Sequence, residues 1–135
     1  MDDGVAYHVE VTAKAPVYAT ESEERVEEAL LNLFPRAEVE RRSSSVDVLP
    51  PRLVASTRSV ERLTELVERF ELGASFHDHL LDSVELGVLS FSLKKQAAYV
   101  GRPSFDVGGH ELGSIDVRME SDDLEAVVDR VAGVG

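Results

Sequence analysis

Residues 53–72 read LVASTRSVERLTELVERFEL, and two structural periods meet inside them. Leu53 to Ser56 is a short apolar run of strand length. Beyond it Ser59 is placed to cap a helix whose Leu63, Leu66, Val67 and Phe70 fall at i, i+3, i+4 and i+7. A strand running into a helix with a narrow apolar stripe calls for a second layer to cover that stripe. Gly73 breaks this helix, and a shorter one through Phe76, Leu80 and Leu81 is predicted to reach about Ser83.

The same grammar repeats on both sides. Upstream, Val5, Tyr7, Val9, Val11 and Ala13 alternate with Ala6, His8, Glu10, Thr12 and Lys14, as a strand with one wet face would, and Pro16 ends the run. Thr20 and Glu23 have the spacing of a capping box, followed by Val26, Ala29, Leu30 and Leu33 as an apolar stripe that Pro35 closes. A short strand is expected from Ala37 to Arg41. Ser43–Ser45 and the Pro50-Pro51 pair flank a further apolar run, Val46 to Leu49, which reads as a hairpin or excursion. Downstream, Leu89, Phe91 and Leu93 alternate with Ser90 and Ser92. The turn-rich run from Gly108 to Gly113 leads into a strand from Ile115 to Met119. Ser121 is then expected to cap a last helix carrying Leu124, Val127, Val128 and Val131. Three striped helices and about five strands with one polar face predict a two-layer α+β domain over residues 1–135, with helices backing one side of a mostly antiparallel sheet.

Composition bounds the chemistry. At 135 residues the chain is long enough to bury roughly 70% of its unfolded surface around one core. It has no cysteine, so thiolate catalysis, disulfides and cysteine-ligated zinc are excluded. Met1-Asp2-Asp3-Gly4 is acidic where a leader would be basic, and no apolar run approaches the roughly 20 residues that span a bilayer. The cytoplasm and no membrane partner are therefore expected. The 26 Asp and Glu against 14 Lys and Arg give a net charge of −12, spread along the whole chain. That pattern suits a salt-adapted cell, where carboxylates keep the surface hydrated and concentrated salt screens their repulsion.

No catalytic constellation emerges. His77 and His79 lie two apart on a helix and do not share a face, so they read as solvated polar residues rather than metal ligands. The carboxylate pairs are accounted for by helix caps and wet faces, and there is no G-x-S-x-G. The glycines lead toward a strand instead of opening a helix, so neither a catalytic serine nor a phosphate cradle is implied. The sharpest local signal is KKQAAYVGR, residues 94–102: three cations, an amide and an aromatic ring with no acid among them, in an otherwise acidic chain. Such a run can serve RNA, with Lys94, Lys95 and Arg102 on phosphates, Gln96 on a base edge, Tyr99 stacking, and Gly101 permitting close backbone approach. The same run also fits a structural role, with Ala97, Ala98, Tyr99 and Val100 in the core and the lysines solvated. A second cationic group, Arg36, Arg41, Arg42, Arg52 and Arg58, falls in the hairpin region, interspersed with acids.

Thr20–Glu38, TESEERVEEALLNLFPRAE, together with LVASTRSVERLTELVERFEL, KKQAAYVGRPSF and LGSIDVRM, resembles an archaeal family of small uncharacterised proteins predicted to bind RNA or to be exosome-subunit-like. These are often encoded beside dephospho-CoA kinase. The most specific element is KQAA-x-VGR, matched by Lys95, Gln96, Ala97, Ala98, Val100, Gly101 and Arg102. The resemblance covers nearly the whole chain. It implies a fold similar to the ribosomal protein L-five that binds five-S RNA, with a ferredoxin-like sandwich as the alternative. It also implies a non-catalytic role in RNA processing, degradation or ribosome function, without a cofactor or metal. Lys94, Lys95, Gln96, Tyr99, Gly101 and Arg102 would carry RNA, joined by Arg41, Arg42 and Arg52, and protein components of an RNA-processing complex would be further partners. Two other readings stay open: an adaptor docking on protein through its sheet face, and an enzyme linked to coenzyme A metabolism. The sequence does not fix the oligomeric state.

Overall fold

A computed structural model of the protein describes residues 8–43, 49–107 and 113–133. In chain order the elements are β1 (Val9–Pro16), α1 (Glu23–Leu33), β2 (Glu38–Arg42), β3 (Arg52–Thr57), α2 (Glu61–Arg69), α3 (Gly73–Asp82), β4 (Val84–Glu85), β5 (Val88–Lys94), α4 (Lys95–Ala98), β6 (Ser114–Ser121) and α5 (Leu124–Ala132). The strands form one sheet in the order β2-β3-β1-β6-β5-β4, and every pairing within it is antiparallel.

Strand parity divides the molecule into two layers. In β1, Val9, Val11, Ala13 and Ala15 are buried while Glu10 and Lys14 are exposed, and β6 repeats this with Ile115, Val117 and Met119 against Asp116, Arg118 and Glu120. The buried set meets the stripes of the helices: Val26, Ala29, Leu30 and Leu33 from α1, Leu63, Leu66 and Val67 from α2, Phe76 and Leu80 from α3, and Leu124, Val127, Val128 and Val131 from α5. Each fully buried Leu or Val contributes about 1.5–3 kcal/mol of transfer free energy, so this one interface supplies most of the drive to fold. α5 packs against both α2 and α3, while α1 packs against α4. At Gly73 a Cβ would stand 2.7 Å from the Ala132 carbonyl oxygen, so only glycine lets α3 begin this close to the end of α5.

The predicted α+β, two-layer sheet-and-helix class is the one observed. Several local expectations are corrected. The Thr20–Glu23 capping box does not form; Ser22 is the N-cap of α1 and its hydroxyl accepts the Arg25 N–H at 3.4 Å. Glu21, which the box would leave at the surface, folds back to accept the Tyr18 N–H at 3.0 Å. Ser59 lies one position ahead of the N-cap Val60, yet its hydroxyl accepts the Glu61 N–H at 3.3 Å and so serves the start of α2; Ser121 lies two ahead of the true cap Asp123, whose carboxylate accepts the Ala126 N–H at 3.1 Å. The sequence also hid α4, whose four residues are too few for a period to show, and β4, whose two residues pair with β5 across Leu86 and Gly87, at φ 54° and 79°. The expected start of the first strand at Val5, the run from Val46 with its neighbouring serines, and the glycine-rich run from Gly108 to Leu112 lie outside the described residues.

Candidate nucleic-acid interface

β5 ends in two lysines with opposite surroundings. Lys94 is the last strand residue and keeps the alternation of Ser90 and Ser92, so it stands on the open side of the sheet, away from the helices. Lys95 opens α4, and its side chain is fully enclosed. Its ammonium donates to the Pro16 carbonyl at 2.7 Å and to the two Glu21 carboxylate oxygens at 3.0 and 3.2 Å. It also lies 5.2 Å from the centroid of the Tyr18 ring. Glu21 is itself only 5% exposed and accepts the Tyr99 hydroxyl at 3.1 Å. Burial pulls the Lys95 ammonium below its ordinary pKa, against the Glu21 hydrogen bond and charge, which hold it up. Burial pushes the Tyr99 phenol up to about 12, and the Glu21 carboxylate adds to that.

This corner corrects the expected RNA contact of Lys95 and ties down the Tyr99 hydroxyl. Lys95 already satisfies its donors inside the fold, and the Tyr99 hydroxyl is tied to Glu21 while the Arg25 guanidinium lies 5.0 Å from its ring centroid. Lys95 has no exposed donor to offer a phosphate, and the partly buried Tyr99 ring has Arg25 over it. KQAA is instead a fastening: Lys95 reaches the β1–α1 connection, Ala98 is buried against the core, and Asn32 of α1 donates to the Ala98 and Tyr99 carbonyls at 2.9 and 3.3 Å. Gly101, at φ 75°, closes α4 through a left-handed turn. A Cβ there would touch nothing in the chain within 4 Å, so within the fold it is the backbone conformation that calls for glycine. The structural alternative was itself only half right, because Val100 is 79% exposed and Lys95 is not solvated.

The remaining predicted residues fall into separate places. Gln96 and Arg102 are exposed on the α4 corner, with the Arg102 guanidinium 5.1 Å from the Phe70 ring centroid, on the helical side. Arg41 also faces the helices and donates to Glu23 at 2.9 Å. Arg42 and Arg52 are opposite each other on the open side. Four of the five hairpin-region arginines have carboxylate partners: Arg36 with Glu61 at 3.7 Å, Arg41 with Glu23, Arg42 with Glu40 at 2.8 Å and Arg58 with Glu10 at 3.9 Å. Arg52 has none among the described residues.

The open side of the sheet gathers what the linear run did not. A shallow concavity of about 420 Å³ crosses β3, β1, β6 and β5, lined on its wet side by Thr12, Lys14, Arg52, Ser90, Ser92, Asp116 and Arg118. Lys14 is opposite Asp116, which is opposite Ser92; Arg118 is opposite both Thr12 and Ser90. Lys14, Arg52 and Lys94 have no carboxylate partner among the described residues, while Arg118 is held by Glu120 at 2.8 Å. Asp116 Oδ1 accepts the Ser92 hydroxyl at 2.7 Å and the Ser114 hydroxyl at 3.3 Å. Sequence reasoning missed Lys14 and Arg118 as site residues because they are far apart in the chain. The available signal was parity: both occupy wet-face positions of the central strands. Among the described residues no group of three or more His, Cys, Asp or Glu side chains is placed to hold a metal ion, and no helix is long and apolar enough to cross a membrane.

A family model described as RNA binding matches residues 10–121. A UPF0201 protein of Methanothermobacter thermautotrophicus is 32% identical over 123 residues, covering 90% of this chain and 89% of its own. Another from Methanopyrus kandleri is 34% identical over 126 residues, covering 86% and 79%. The crystal structure of a UPF0201 protein from Methanococcus jannaschii superposes with a TM-score of 0.83 at 31% identity, over 91% of this chain and 98% of that one.

Proposed function

The chain belongs to the archaeal UPF0201 family, whose model is described as RNA binding, and from that premise we propose that it is a non-catalytic RNA-binding module that uses the open face of its sheet. The observation that carries this reading is the placement of Lys14, Arg52 and Lys94. In a chain of net charge −12, where most arginines of the hairpin region are matched by a carboxylate, these three cations without a partner among the described residues converge on one face. Phosphate contacts of this kind position a nucleic acid without reading its sequence. Arg42, paired with Glu40, extends the open face toward β2, while Gln96 and Arg102 stand apart on the α4 corner, Arg102 on the helical side. The setting proposed is the cytoplasm of a salt-adapted cell, with RNA processing, degradation or the ribosome as the context.

Three neutralised phosphates predict that log K for RNA falls against log salt with a slope of about −2 to −3. Fluorescence anisotropy with labelled RNA across a salt series measures this slope, and Lys14→Ala/Arg52→Ala is expected to flatten it by about two thirds. Absence of binding to any RNA at low salt, or a slope that the double variant leaves unchanged, overturns the reading.

A second reading, an adaptor that docks on protein, is favoured by Leu86, which is 96% exposed at the β4–β5 turn beside the half-exposed Val84. Partners kept through nuclease treatment of a pull-down would support it, and partners lost would support RNA.

A further inference from the structure

We infer that the open face takes a double-stranded RNA, engaged across its minor groove through ribose hydroxyls, an inference that rests on the RNA-binding reading above. The centre of the concavity pairs a cation with an acceptor, Lys14 on β1 opposite Asp116 on β6. Asp116 stands there, exposed, on the level of Lys14. The Ser92 and Ser114 hydroxyls both donate to its Oδ1, which fixes the carboxylate and leaves Oδ2 with no protein donor among the described residues. A carboxylate accepts at both oxygens and donates at neither, so the ligand atom that meets Oδ2 must be a hydrogen-bond donor. A phosphate can sit on the Lys14 side of the pair and is repelled at Oδ2.

Two more cations stand on the strands to either side. Arg52 on β3 and Lys94 on β5 stand three strand spacings apart, about 14 Å, with β1 and β6 between them. Arg52 is opposite Pro16 and Lys94 opposite Ser114, each two residues from the Lys14–Asp116 pair, so both lie at one level of the sheet. Between these two outer cations, at their own level, lie Pro16 and Ser114; the Asp116 acceptor stands two residues further along with Lys14 beside it, near the hydroxyls of Thr12, Ser90 and Ser92. The wide, shallow minor groove of an A-form helix offers the complement: a phosphate chain along each rim and, between them, 2′-hydroxyls, with the guanine amino group as a further donor. A DNA duplex lacks the 2′-hydroxyl. A single strand with splayed bases is bound largely by aromatic stacking, and on the strands of the open face no aromatic side chain is presented among the described residues; Phe91 is buried toward the helices. Hydrogen bonds of this kind also survive the salt that weakens phosphate contacts, in keeping with the acidic composition.

The test measures the intact protein against an RNA duplex, a DNA duplex of the same sequence and the single-stranded RNA, by anisotropy at low and high salt, with thermal melting to confirm that each variant folds. The expected order is RNA duplex first, with its lead over DNA retained at high salt. Asp116→Ala is expected to cut the RNA-over-DNA ratio by about fivefold and to raise DNA affinity, because an acceptor and a repulsive charge are removed together. Asp116→Asn, whose carbonyl stays with the Ser92 and Ser114 hydroxyls and whose amide N–H₂ replaces the Oδ2 acceptor, is expected to lower the ratio as well. Tighter binding of the single strand, equal binding of the two duplexes, or a ratio that Asp116→Ala does not move overturns this inference while leaving RNA binding intact. Failure to bind RNA in any form overturns both.

Discussion

Lys94 and Lys95 are neighbours in sequence and opposites in environment. The first continues the wet side of β5, reaching solvent at the rim of the open face. The second begins a helical turn and carries its charge into a closed corner where Pro16, Glu21 and Tyr18 receive it. The comparison teaches that a run of cations is a property of a string, whereas a binding surface is a property of a face. Successive residues of a strand point to opposite faces, so the parity that puts Lys94 on the open side sends Lys95 toward the helices as α4 begins.

Substituting each lysine in turn is the strongest way to break this contrast. Lys95→Met leaves Glu21 buried without its cation and is expected to cost about 3–5 kcal/mol in denaturant unfolding. Adding Glu21→Leu should recover much of that loss, since a buried pair replaced by apolar side chains is often neutral or better. Lys94→Ala should change stability by no more than about 0.5 kcal/mol, yet weaken RNA binding. Equal stability of the two single variants would abolish the distinction.

A pH series sharpens the same contrast from the buried side. The Tyr99 phenol ordinarily ionises near 10 and is pushed up to about 12 in the folded chain. Between those values the unfolded chain releases a proton that the folded chain keeps, so the folded state binds more protons and stability falls as pH rises through the window. Tyr99→Phe should lose less stability there than the parent protein, and an ultraviolet titration should show one tyrosine lagging that the variant lacks. A much smaller loss than that of Lys95→Met is expected at the exposed end of the corner. Arg102→Ala removes a cation–π contact with Phe70 and should lower stability by about 0.5–1 kcal/mol, read from the shift in unfolding midpoint.

Much of this architecture was legible because long elements display their period. Leu63, Leu66, Val67 and Phe70 announced α2, and the alternation around Leu89, Phe91 and Leu93 announced β5 and the side it buries. The caps were harder. Thr20, Ser59 and Ser121 are all competent cap residues, and the choice among adjacent polar groups depends on where the incoming chain is held, which is a tertiary matter. The site was the least legible part. Lys14, Arg52 and Asp116 come from three strands, and only the register that sets Lys14 against Asp116 brings them together. The role of Lys95 turns on Glu21, 74 residues away in the chain, and nothing local in KKQAAYVGR marks which of its lysines would find a carboxylate.

The two margins of the sheet also respond differently to their solvent. At one, β4 is only two residues long and offers another chain little backbone to pair with, whatever the ionic strength. At the other, β2 runs five residues and is guarded by charge, through Glu38, Glu40, Arg41 and Arg42. Charge is a guard that concentrated salt weakens, even as excluded salts strengthen the tendency of apolar surface to associate. Self-association in brine would therefore begin along β2, where protection is electrostatic, and not along β4, where it is built into the length of the chain.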